Sequence, residues 1–537
     1  MRDGRTARTL LLFIRRMASV GEDATIVPRP AFDMFRIFGP PGTGKTTTLL
    51  DMVDRALEAG TNPHRIAFLA FTRKAAHEAR DRAAKRFKLD PKEDLPYFRT
   101  LHSLALAQTD IRVEQIMQPE DYSELGAQIG YNFSGGSSAE VDNFSDNLQA
   151  NDPVLGLINL ARLRKVQLRD QYNDSHIDMD WMLVSFINRA LKTYKETRNK
   201  YDFTDMLASF AESADQYCPR FDITFLDEAQ DLSPLQWDIA HALDKKSDKM
   251  YVAGDDDQAI YRWAGADVDH FINLDGGSET LSQSYRIPKS AHFIANKISR
   301  RMSKRFPKEY KPKEEHGRVA RIYSINDVNM NDGTWMILSQ AGYMLSPVRE
   351  ELKSNGYLFT HMGHRSISEK ISSAVNGWER MRKGKTITGD VARNIYSFMS
   401  TGDRVKRGFK KLANLSDEDD ISLADLQEHF GLLVGDELIW HEAMNKMPET
   451  DRAYITKLLR KGEKFNGEPR ISVSTIHGSK GGEAENVVLF TDLSPAADAE
   501  MRLNADDMHR TFYVGVTRTK RNLYIVEAED AMRSYTI

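Results

Sequence analysis

Cysteine is almost absent from this sequence: of its 537 residues, only Cys218 is a cysteine. A single cysteine excludes a disulfide framework within the chain and is typical of a protein from a reducing compartment. Long apolar runs are also missing, since none approaches the roughly 20 residues of a membrane span, so we expect no membrane contact. The formal net charge is only −4, so binding to nucleic acid would need a local groove and not an overall positive field.

What is present is the composition of an ordinary globular protein, with 41% hydrophobic and 28% charged residues. The length predicts three or four domains, at roughly 100–200 residues each. Residues 1–17 place arginines around a short apolar run that is too brief for a secretory signal. We interpret this stretch as a basic extension, or as sequence upstream of a true start at Met17.

A glycine-rich stretch, residues 39–46 (GPPGTGKT), matches the P-loop pattern G-x-x-x-x-G-K-[ST] in full. An apolar run precedes it and a helix-like segment follows it, which is the strand–loop–helix setting that phosphate binding needs. Lys45 would reach the β- and γ-phosphates, and the Thr46 hydroxyl would hold Mg²⁺. The predicted nucleotide-binding residues of this loop are Gly39, Gly42, Thr43, Gly44, Lys45, Thr46 and Thr47.

Two carboxylates follow a second apolar run, residues 221–226. Buried carboxylates need a cation, and a P-loop metal supplies one, so we predict that Asp227 holds Mg²⁺ and that Glu228 orients or deprotonates the attacking water. The next predicted strand, residues 250–253, leads to Gln258, a candidate sensor of the γ-phosphate. A P-loop followed by such strands is typical of a parallel α/β sheet, whose ligands bind at the carboxyl ends of its strands.

Several residues at these strand ends are candidates for contact with nucleic acid. Aromatic side chains beside basic groups can stack on bases and meet phosphates. For Tyr261 and Trp263 the alternative is core packing, which would ordinarily be favoured, but their neighbours in this segment favour base stacking. The candidates are Phe71, Thr72, Arg73, His102, Tyr261 and Trp263.

With these motifs, the chain resembles the UvrD/Rep/PcrA-like branch of the superfamily 1 DNA helicases. The resemblance implies that Tyr285 stacks on adenine, that Glu483 lies near the ribose, and that Arg286 and Arg518 act as arginine fingers. It also implies that Thr475 and His477 lie near DNA. The motifs that complete it are residues 201–207 (YDFTDML), 283–286 (QSYR), 474–483 (STIHGSKGGE) and 513–518 (YVGVTR).

The resemblance and the motif spacing predict an α/β fold with two RecA-like P-loop domains, each with a parallel sheet and each interrupted by a mainly helical insertion. A loop-like stretch, residues 132–151, lies within the first insertion. Residues 1–34 would form an N-terminal extension. Residues 35–103 and 201–279 would form the first domain, 104–200 its insertion, 280–364 and 467–537 the second domain, and 365–466 a small second insertion.

Two basic runs need separate interpretations. Residues 379–411 of the second insertion carry a strong excess of lysine and arginine, which is either a face for duplex phosphates or a solvated helix surface. Residues 300–313 we expect to be solvated surface. The chain also departs from its relatives in three places: no glutamine precedes Lys45, Ala264 stands where an arginine is common, and residues 339–349 match poorly.

The predicted activity is that of an ATP- and Mg²⁺-dependent helicase that translocates on single-stranded DNA, 3′→5′ by resemblance, and unwinds duplex. The alternatives are a translocase or strand-clearing factor that hardly unwinds, and a helicase–nuclease, for which we find no nuclease domain or metal cluster. Expected partners are single-stranded DNA, single-strand/duplex junctions and replication or repair proteins. We expect a monomer or weak oligomer in the cytoplasm, near the nucleoid or in a host cell if viral.

Overall fold

The computed structural model describes residues 34–133, 152–175, 177–464 and 467–537. All of the predicted N-terminal extension except Met34, and almost all of the predicted loop at 132–151, therefore lie outside the described residues. Among the helices within these ranges, none is both long and apolar enough to cross a membrane.

Strands alternate with helices along most of the described chain, as the sequence predicts. Strand β2 shows why the sheets form: all five of its residues are buried, as expected of a parallel strand covered on both faces. The strands are β1 Met34–Phe38, β2 Ile66–Ala70, β3 Phe98–Thr100, β4 Phe221–Leu226, β5 Ser247–Gly254, β6 Ser278–Thr280, β7 Arg318–Ile322, β8 Trp335–Ser339, β9 Phe359–His361, β10 His364–Arg365, β11 Ile387–Thr388, β12 Asp420–Ile421, β13 Ile471–Thr475, β14 Ala484–Phe490 and β15 Thr519–Val526.

The helices begin mostly at residues whose side chains cap the first turn, such as Asp202 and Ser233. They are α1 Lys45–Glu58, α2 Arg73–Phe87, α3 Leu101–Ala107, α4 Pro119–Ile129, α5 Pro153–Leu163, α6 Leu168–Asn173, α7 Trp181–Arg198, α8 Phe203–Tyr217, α9 Pro234–Lys245, α10 Val268–Asn273, α11 Lys289–Ser299, α12 Leu345–Ser354, α13 Glu369–Met381, α14 Gly389–Ser397, α15 Leu423–His429, α16 Trp440–Ala443, α17 Glu449–Lys461, α18 Pro495–Leu503 and α19 Ala505–Val516.

Two parallel sheets confirm the predicted fold class of two α/β domains. The first has the strand order β3-β2-β4-β5-β1-β6 and is parallel throughout. The second has the order β10-β9-β13-β8-β14-β15-β7, in which only the short edge strand β10 runs antiparallel to its neighbour. In each sheet, strands from before and after an insertion lie side by side, so each domain is built from two separate parts of the chain.

The first insertion is held to its domain by charged groups at its return point. Asp202 and Asp205 cap α8 and also accept hydrogen bonds from Lys195 at 2.7 Å each. The boundary proposed at residues 103/104 falls within α3, whose Leu101 and Leu104 are buried in the core of the first domain. We therefore propose that the insertion begins after Ala107.

The second insertion contains α13 to α17 and the two-stranded sheet β11–β12. It has no core of its own within the described residues: Trp378 and Tyr396 belong to the same buried cluster as Ile337 and Val488 of the second sheet. The insertion therefore packs as an extension of the second domain.

Several basic side chains of the run at 379–411 bind other groups of the protein. Arg382 pairs with Glu379 at 2.8 Å, and the Lys410 ammonium donates to the Met399 carbonyl at 2.6 Å. Arg393 pairs with Asp417, the first of four consecutive acidic residues, 417–420, that follow the basic run. Any face for duplex phosphates is therefore smaller than the sequence suggests. Its exposed members include Lys383, Lys385, Lys406 and Arg407.

A segment at residues 302–311, which we call the strap, lies between the two domains. Its Phe306 stacks on Phe38 of the first sheet, with ring centroids 3.9 Å apart. Its Tyr310 hydroxyl lies 3.3 Å from the Tyr513 hydroxyl of α19 in the second domain. The strap therefore contacts both domains.

The expectation that residues 300–313 form solvated surface is wrong for two members of the strap. The side chain of Lys308 is only 1% exposed, and that of Arg305 is 20% exposed. Lys308 lies 2.6 Å from Asp256, and Arg305 makes two hydrogen bonds to Asp257 at 2.9 and 2.8 Å. Composition could not reveal this, because the carboxylates that balance these cations come from a distant part of the chain.

Candidate functional site

The P-loop joins β1 to α1 at the carboxyl edge of the first sheet. Gly42 and Gly44 have φ angles of +71° and +80°, a backbone conformation that residues with a Cβ atom rarely adopt. After these turns the chain enters α1 at Lys45, whose side chain is only 10% exposed. The helix N-terminus and the ammonium group therefore point at one small region, as phosphate binding requires.

The two predicted metal ligands lie next to each other at this loop. The Thr46 hydroxyl donates a hydrogen bond to the Asp227 carboxylate at 2.7 Å, and Asp227 is 2% exposed. Hydroxyl and carboxylate oxygens are ligands that Mg²⁺ prefers when phosphate oxygens complete its shell. The pair therefore suits the metal that the P-loop motif implies.

Glu228 faces the P-loop from the end of β4. Its backbone is in the left-handed region, with φ of +57°, which is uncommon for a residue other than glycine and recurs at functional sites. Its carboxylate lies 2.8 Å from the Lys45 ammonium. Burial favours the neutral acid, but the positive charges of Lys45 and Lys480 outweigh this effect and lower the pKa of Glu228. Glu228 is therefore ionised, as a group that orients or deprotonates water must be.

The remaining P-loop residues are placed around this pair. The Thr43 hydroxyl is buried and donates to the Pro40 carbonyl at 2.8 Å, so it stabilises the loop itself. Thr47 is exposed in the first turn of α1. Gly39 continues the sheet pairing, because its N–H donates to the Gly254 carbonyl at 2.9 Å.

Gln258 connects the two domains directly. Its amide nitrogen donates to Asp255 at 2.6 Å, and its amide oxygen accepts a hydrogen bond of 2.6 Å from Arg518. Arg518 is 2% exposed, and burial followed by repulsion from Arg286 lowers its pKa to about 9. An anion entering the cleft would offset that penalty, so the site favours a phosphate group beside Arg518.

The segment at residues 283–286 closes over the P-loop from the second domain. The Ser284 hydroxyl donates to the Pro41 carbonyl at 2.7 Å, and the Tyr285 N–H donates to the Gly42 carbonyl at 2.8 Å. The Tyr285 ring is 76% exposed, so its face is accessible to a base. Arg286 makes a 2.6 Å hydrogen bond to Glu483, so these two predicted nucleotide contacts bind each other in this structure.

Four of the predicted nucleic-acid residues form one aromatic cluster, which we define as Phe71, Tyr261, Trp263 and His477. Phe71 and Tyr261 are stacked with ring centroids 5.7 Å apart, and Trp263 lies edge-on to Tyr261 at 6.3 Å and to His477 at 6.2 Å. Trp263 remains 43% exposed. That exposure favours base stacking over core packing for Trp263.

The other predicted nucleic-acid residues have local partners. The Thr72 hydroxyl caps α2 by accepting from the Ala75 N–H at 3.3 Å, and the Thr475 hydroxyl accepts from the Gly478 N–H at 3.1 Å. Arg73 is exposed in the first turn of α2. His102 lies edge-on to Phe203 with ring centroids 6.4 Å apart, and burial lowers its pKa to about 4. Their contacts with DNA remain predictions.

Sequence reasoning missed a second layer of residues behind the carboxylates. The Gln230 amide nitrogen donates to Glu228 at 2.6 Å and to Asp231 at 2.9 Å, and the Lys480 ammonium pairs with Asp231. Lys480 and Asp231 lie within or beside motifs that the sequence did reveal. Their pairing was hidden because they are 249 residues apart in the chain.

Two family models match the chain: the UvrD/REP helicase N-terminal domain over residues 32–277 and the UvrD-like helicase C-terminal domain over residues 470–526. The ATP-dependent DNA helicase PcrA of Leuconostoc citreum is 25% identical over 396 residues, which cover 70% of this chain and 52% of that protein. The PcrA of Staphylococcus aureus is 25% identical over 296 residues, which cover 51% of this chain and 38% of that protein. The chain thus spans about half the length of these curated relatives, or less.

Among solved structures, an arterivirus nonstructural protein 10 (helicase) aligns with 93% of this chain and 61% of its own. Its TM-score is 0.32 at 11% identity, which is too low to bear on function.

Proposed function

Since the chain belongs to the UvrD/Rep/PcrA-like superfamily 1 helicases, we propose that it is an ATP-dependent DNA helicase. It would move along single-stranded DNA, 3′→5′ by resemblance, and unwind duplex. One observation carries this proposal: Gln258 of the first domain binds Arg518 of the second, and Gln258 lies only three residues before Tyr261 of the aromatic cluster. A single short segment thereby joins the phosphate-facing groups to the base-facing rings.

The roles of the ATP-facing residues follow from their contacts. Thr46 and Asp227 would hold Mg²⁺, which when bound neutralises charge on the phosphates. Lys45 would bind the β- and γ-phosphates once ATP displaces its present partner, Glu228. Glu228, ionised and freed from Lys45, would orient the attacking water.

The residues of the second domain complete this site. Arg286 and Arg518 would contact the γ-phosphate, and Tyr285 would stack on the adenine. Because these groups reach the P-loop only when the domains are together, hydrolysis would depend on closure of the cleft. Glu483 would hold the ribose after releasing Arg286.

The DNA strand would bind at the aromatic cluster. Its rings come from both domains, with Phe71, Tyr261 and Trp263 from the first and His477 from the second. A base among them would contact groups that move relative to each other when the cleft opens and closes. Stacking tolerates any base, so binding would be independent of sequence.

A translocase with little unwinding activity is the second candidate. The observation that favours it is the small second insertion, which shares its core with the second domain and presents a reduced basic face to duplex. We further propose that the protein acts as a monomer or weak oligomer in the cytoplasm, a setting that a single buried cysteine suits. Replication or repair proteins are its proposed partners.

Paired assays separate the two candidates. Duplexes with a 3′ or a 5′ single-stranded tail are tested for strand displacement, and labelled single strands of increasing length are tested for translocation. The helicase displaces the strand from the 3′-tailed duplex; a translocase moves along the single strand without displacement. Equal stimulation of ATP hydrolysis by single-stranded RNA would argue against a DNA enzyme.

Variants test the hydrolytic roles in the same assays. Lys45→Ala should abolish ATP hydrolysis and leave weak DNA binding, and Glu228→Gln should bind ATP without hydrolysing it. The exposed residues Lys192 and Glu350, changed to Ala and Gln, are the matched controls and should keep the parent rate. Arginine fingers contribute about 10³–10⁵ in rate, so a loss under roughly tenfold in Arg518→Ala would contradict its role.

A further inference from the structure

Lys480 lies where the aromatic cluster meets the carboxylates behind the P-loop. It follows a short 3₁₀ helix, His477–Ser479, in the second domain, and its side chain is only 11% exposed. Its ammonium group has three partners, all in the first domain. It pairs with Asp231, donates to the Gln258 carbonyl at 2.9 Å and lies 4.8 Å from the centre of the Tyr261 ring.

On one side, Lys480 reaches the hydrolytic carboxylate through two residues. Asp231 accepts a hydrogen bond of 2.9 Å from the Gln230 amide, and the same amide donates to Glu228 at 2.6 Å. Asp231 is 1% exposed, and burial raises its pKa to about 6 even though Lys480 favours its ionised form. The orientation of Glu228 therefore depends on the Gln230 amide, whose nitrogen also contacts the carboxylate that Lys480 binds and whose oxygen accepts a hydrogen bond of 3.0 Å from the Asp255 N–H.

On the other side, Lys480 packs against the aromatic cluster. A cation over an aromatic face is attracted to it, so the ammonium favours one position of the Tyr261 ring. Three residues earlier, His477 packs against Trp263 and Tyr261, and the Tyr261 hydroxyl donates to the His477 carbonyl at 3.5 Å. A base that enters between Trp263 and His477 would displace His477, which belongs to the same segment as Lys480.

We propose that Lys480 is a positioning residue that couples DNA binding at the aromatic cluster to the orientation of Glu228, and so carries the stimulation of ATP hydrolysis by single-stranded DNA. The proposal rests on the function proposed above. Lys480 contacts neither ATP nor the water in this role. It acts through Asp231 and Gln230.

Four variants test the coupling: Lys480→Met, Asp231→Asn, the double variant, and Lys297→Met as a control at an exposed position of α11. Each is measured for melting temperature, single-strand affinity, and ATP turnover with and without single-stranded DNA. Lys480→Met keeps the length of the side chain and removes its charge. In the double variant both charges are gone, so no unpaired carboxylate remains buried, while the asparagine still accepts a hydrogen bond from Gln230.

Couplings between sites typically change an affinity or rate 5- to 150-fold, so we expect DNA stimulation to fall by a factor in that range in Lys480→Met. Stimulation is expressed as the ratio of turnover with DNA to turnover without DNA, so a change in basal rate caused by the loss of a positive charge near Glu228 does not enter the comparison. The double variant should melt near the parent temperature and still lack stimulation. The control should match the parent in every measurement.

Two results would overturn the inference alone: a DNA-stimulated parent whose Lys480→Met variant is stimulated equally, or a double variant that regains stimulation together with stability. The second result would show that Lys480 and Asp231 form an ion pair that only stabilises the fold. A parent whose turnover is the same with and without single-stranded DNA would instead overturn the proposed function, and the inference with it.

Discussion

Lys308 of the strap provides the sharpest test of how the two domains are held together. Its ammonium lies 3.2, 2.6 and 2.9 Å from Asp255, Asp256 and Asp257, and all four side chains are at most 1% exposed. Arg305 supplies a second positive charge by binding Asp257. Three carboxylates and two cations leave the cluster with one net negative charge, and removal of Lys308 would leave two.

Lys308→Met, which keeps the chain length and removes the charge, should destabilise the protein by about 3–5 kcal/mol, the cost of leaving a buried charge unpaired. At 1.4 kcal/mol per factor of ten, the folding equilibrium would shift roughly 100- to 4,000-fold. Urea unfolding followed by tryptophan fluorescence measures the change. The matched control is Lys304→Met, because Lys304 belongs to the same strap and pairs with Asp269 while 61% exposed. An exposed pair contributes about 0–1 kcal/mol, so this control should unfold near the parent.

A second variant separates charge balance from packing. Asp256→Asn combined with Lys308→Met returns the cluster to one net negative charge, so it should recover more than 1 kcal/mol of the loss. Burial raises the pKa of Asp256 to about 6, so this carboxylate is the one most readily replaced by a neutral group. A Lys308→Met variant no less stable than Lys304→Met, or a double variant with no recovery, would refute the reasoning.

Three further predictions concern the site. Gly42→Ala should reduce kcat/KM for ATP at least tenfold, because the added Cβ would lie 2.3 Å from the Arg286 Cβ. Gly60→Ala is the control: Gly60 has a similar φ of +85° but no atom within 4 Å of the added Cβ, so this variant shows only the effect of backbone strain, about 1–3 kcal/mol. Trp263→Ala should weaken single-strand binding about 5- to 150-fold, as measured by fluorescence anisotropy, for strands of any base composition. A large drop in melting temperature would instead show that Trp263 is a core residue. Burial lowers the pKa of His102 and His477 to about 4, whereas an unfolded histidine titrates near 6.5, so the unfolded chain binds more protons between these values. The two histidines therefore lower the melting temperature as the pH drops from 6.5 to 4, and His477→Gln should remove part of this contribution, so that its melting temperature falls less steeply with pH than that of the parent; an unchanged slope would contradict the assignment.

The sequence predicted best what local pattern determines. Apolar runs flanked by glycine or by paired carboxylates located β1, β4 and β5, because buried parallel strands have a distinctive composition. The same runs placed Lys45 and Glu228 at one edge of one sheet, where the structure finds them 2.8 Å apart.

Long-range pairing was beyond the sequence. The partners of Lys308 and Lys480 come from other parts of the chain, and a lysine in a basic run has the same local signature whether it is buried or solvated. Helix boundaries show a similar limit: α3 extends to Ala107 because Leu104 and Ala105 are buried against the first domain, which no local signal marks. For such residues burial depends on tertiary contacts.

The shared core of the second insertion and the second domain has a mechanical consequence. Since Trp378 and Val488 belong to one buried cluster, any rotation of the second domain would carry the insertion with it as one rigid body. A close-packed core transmits displacement with little loss. In the proposed cycle, a small rotation at Arg286 and Arg518 would therefore produce a larger displacement farther from the axis of rotation, and the far end of the insertion would move most.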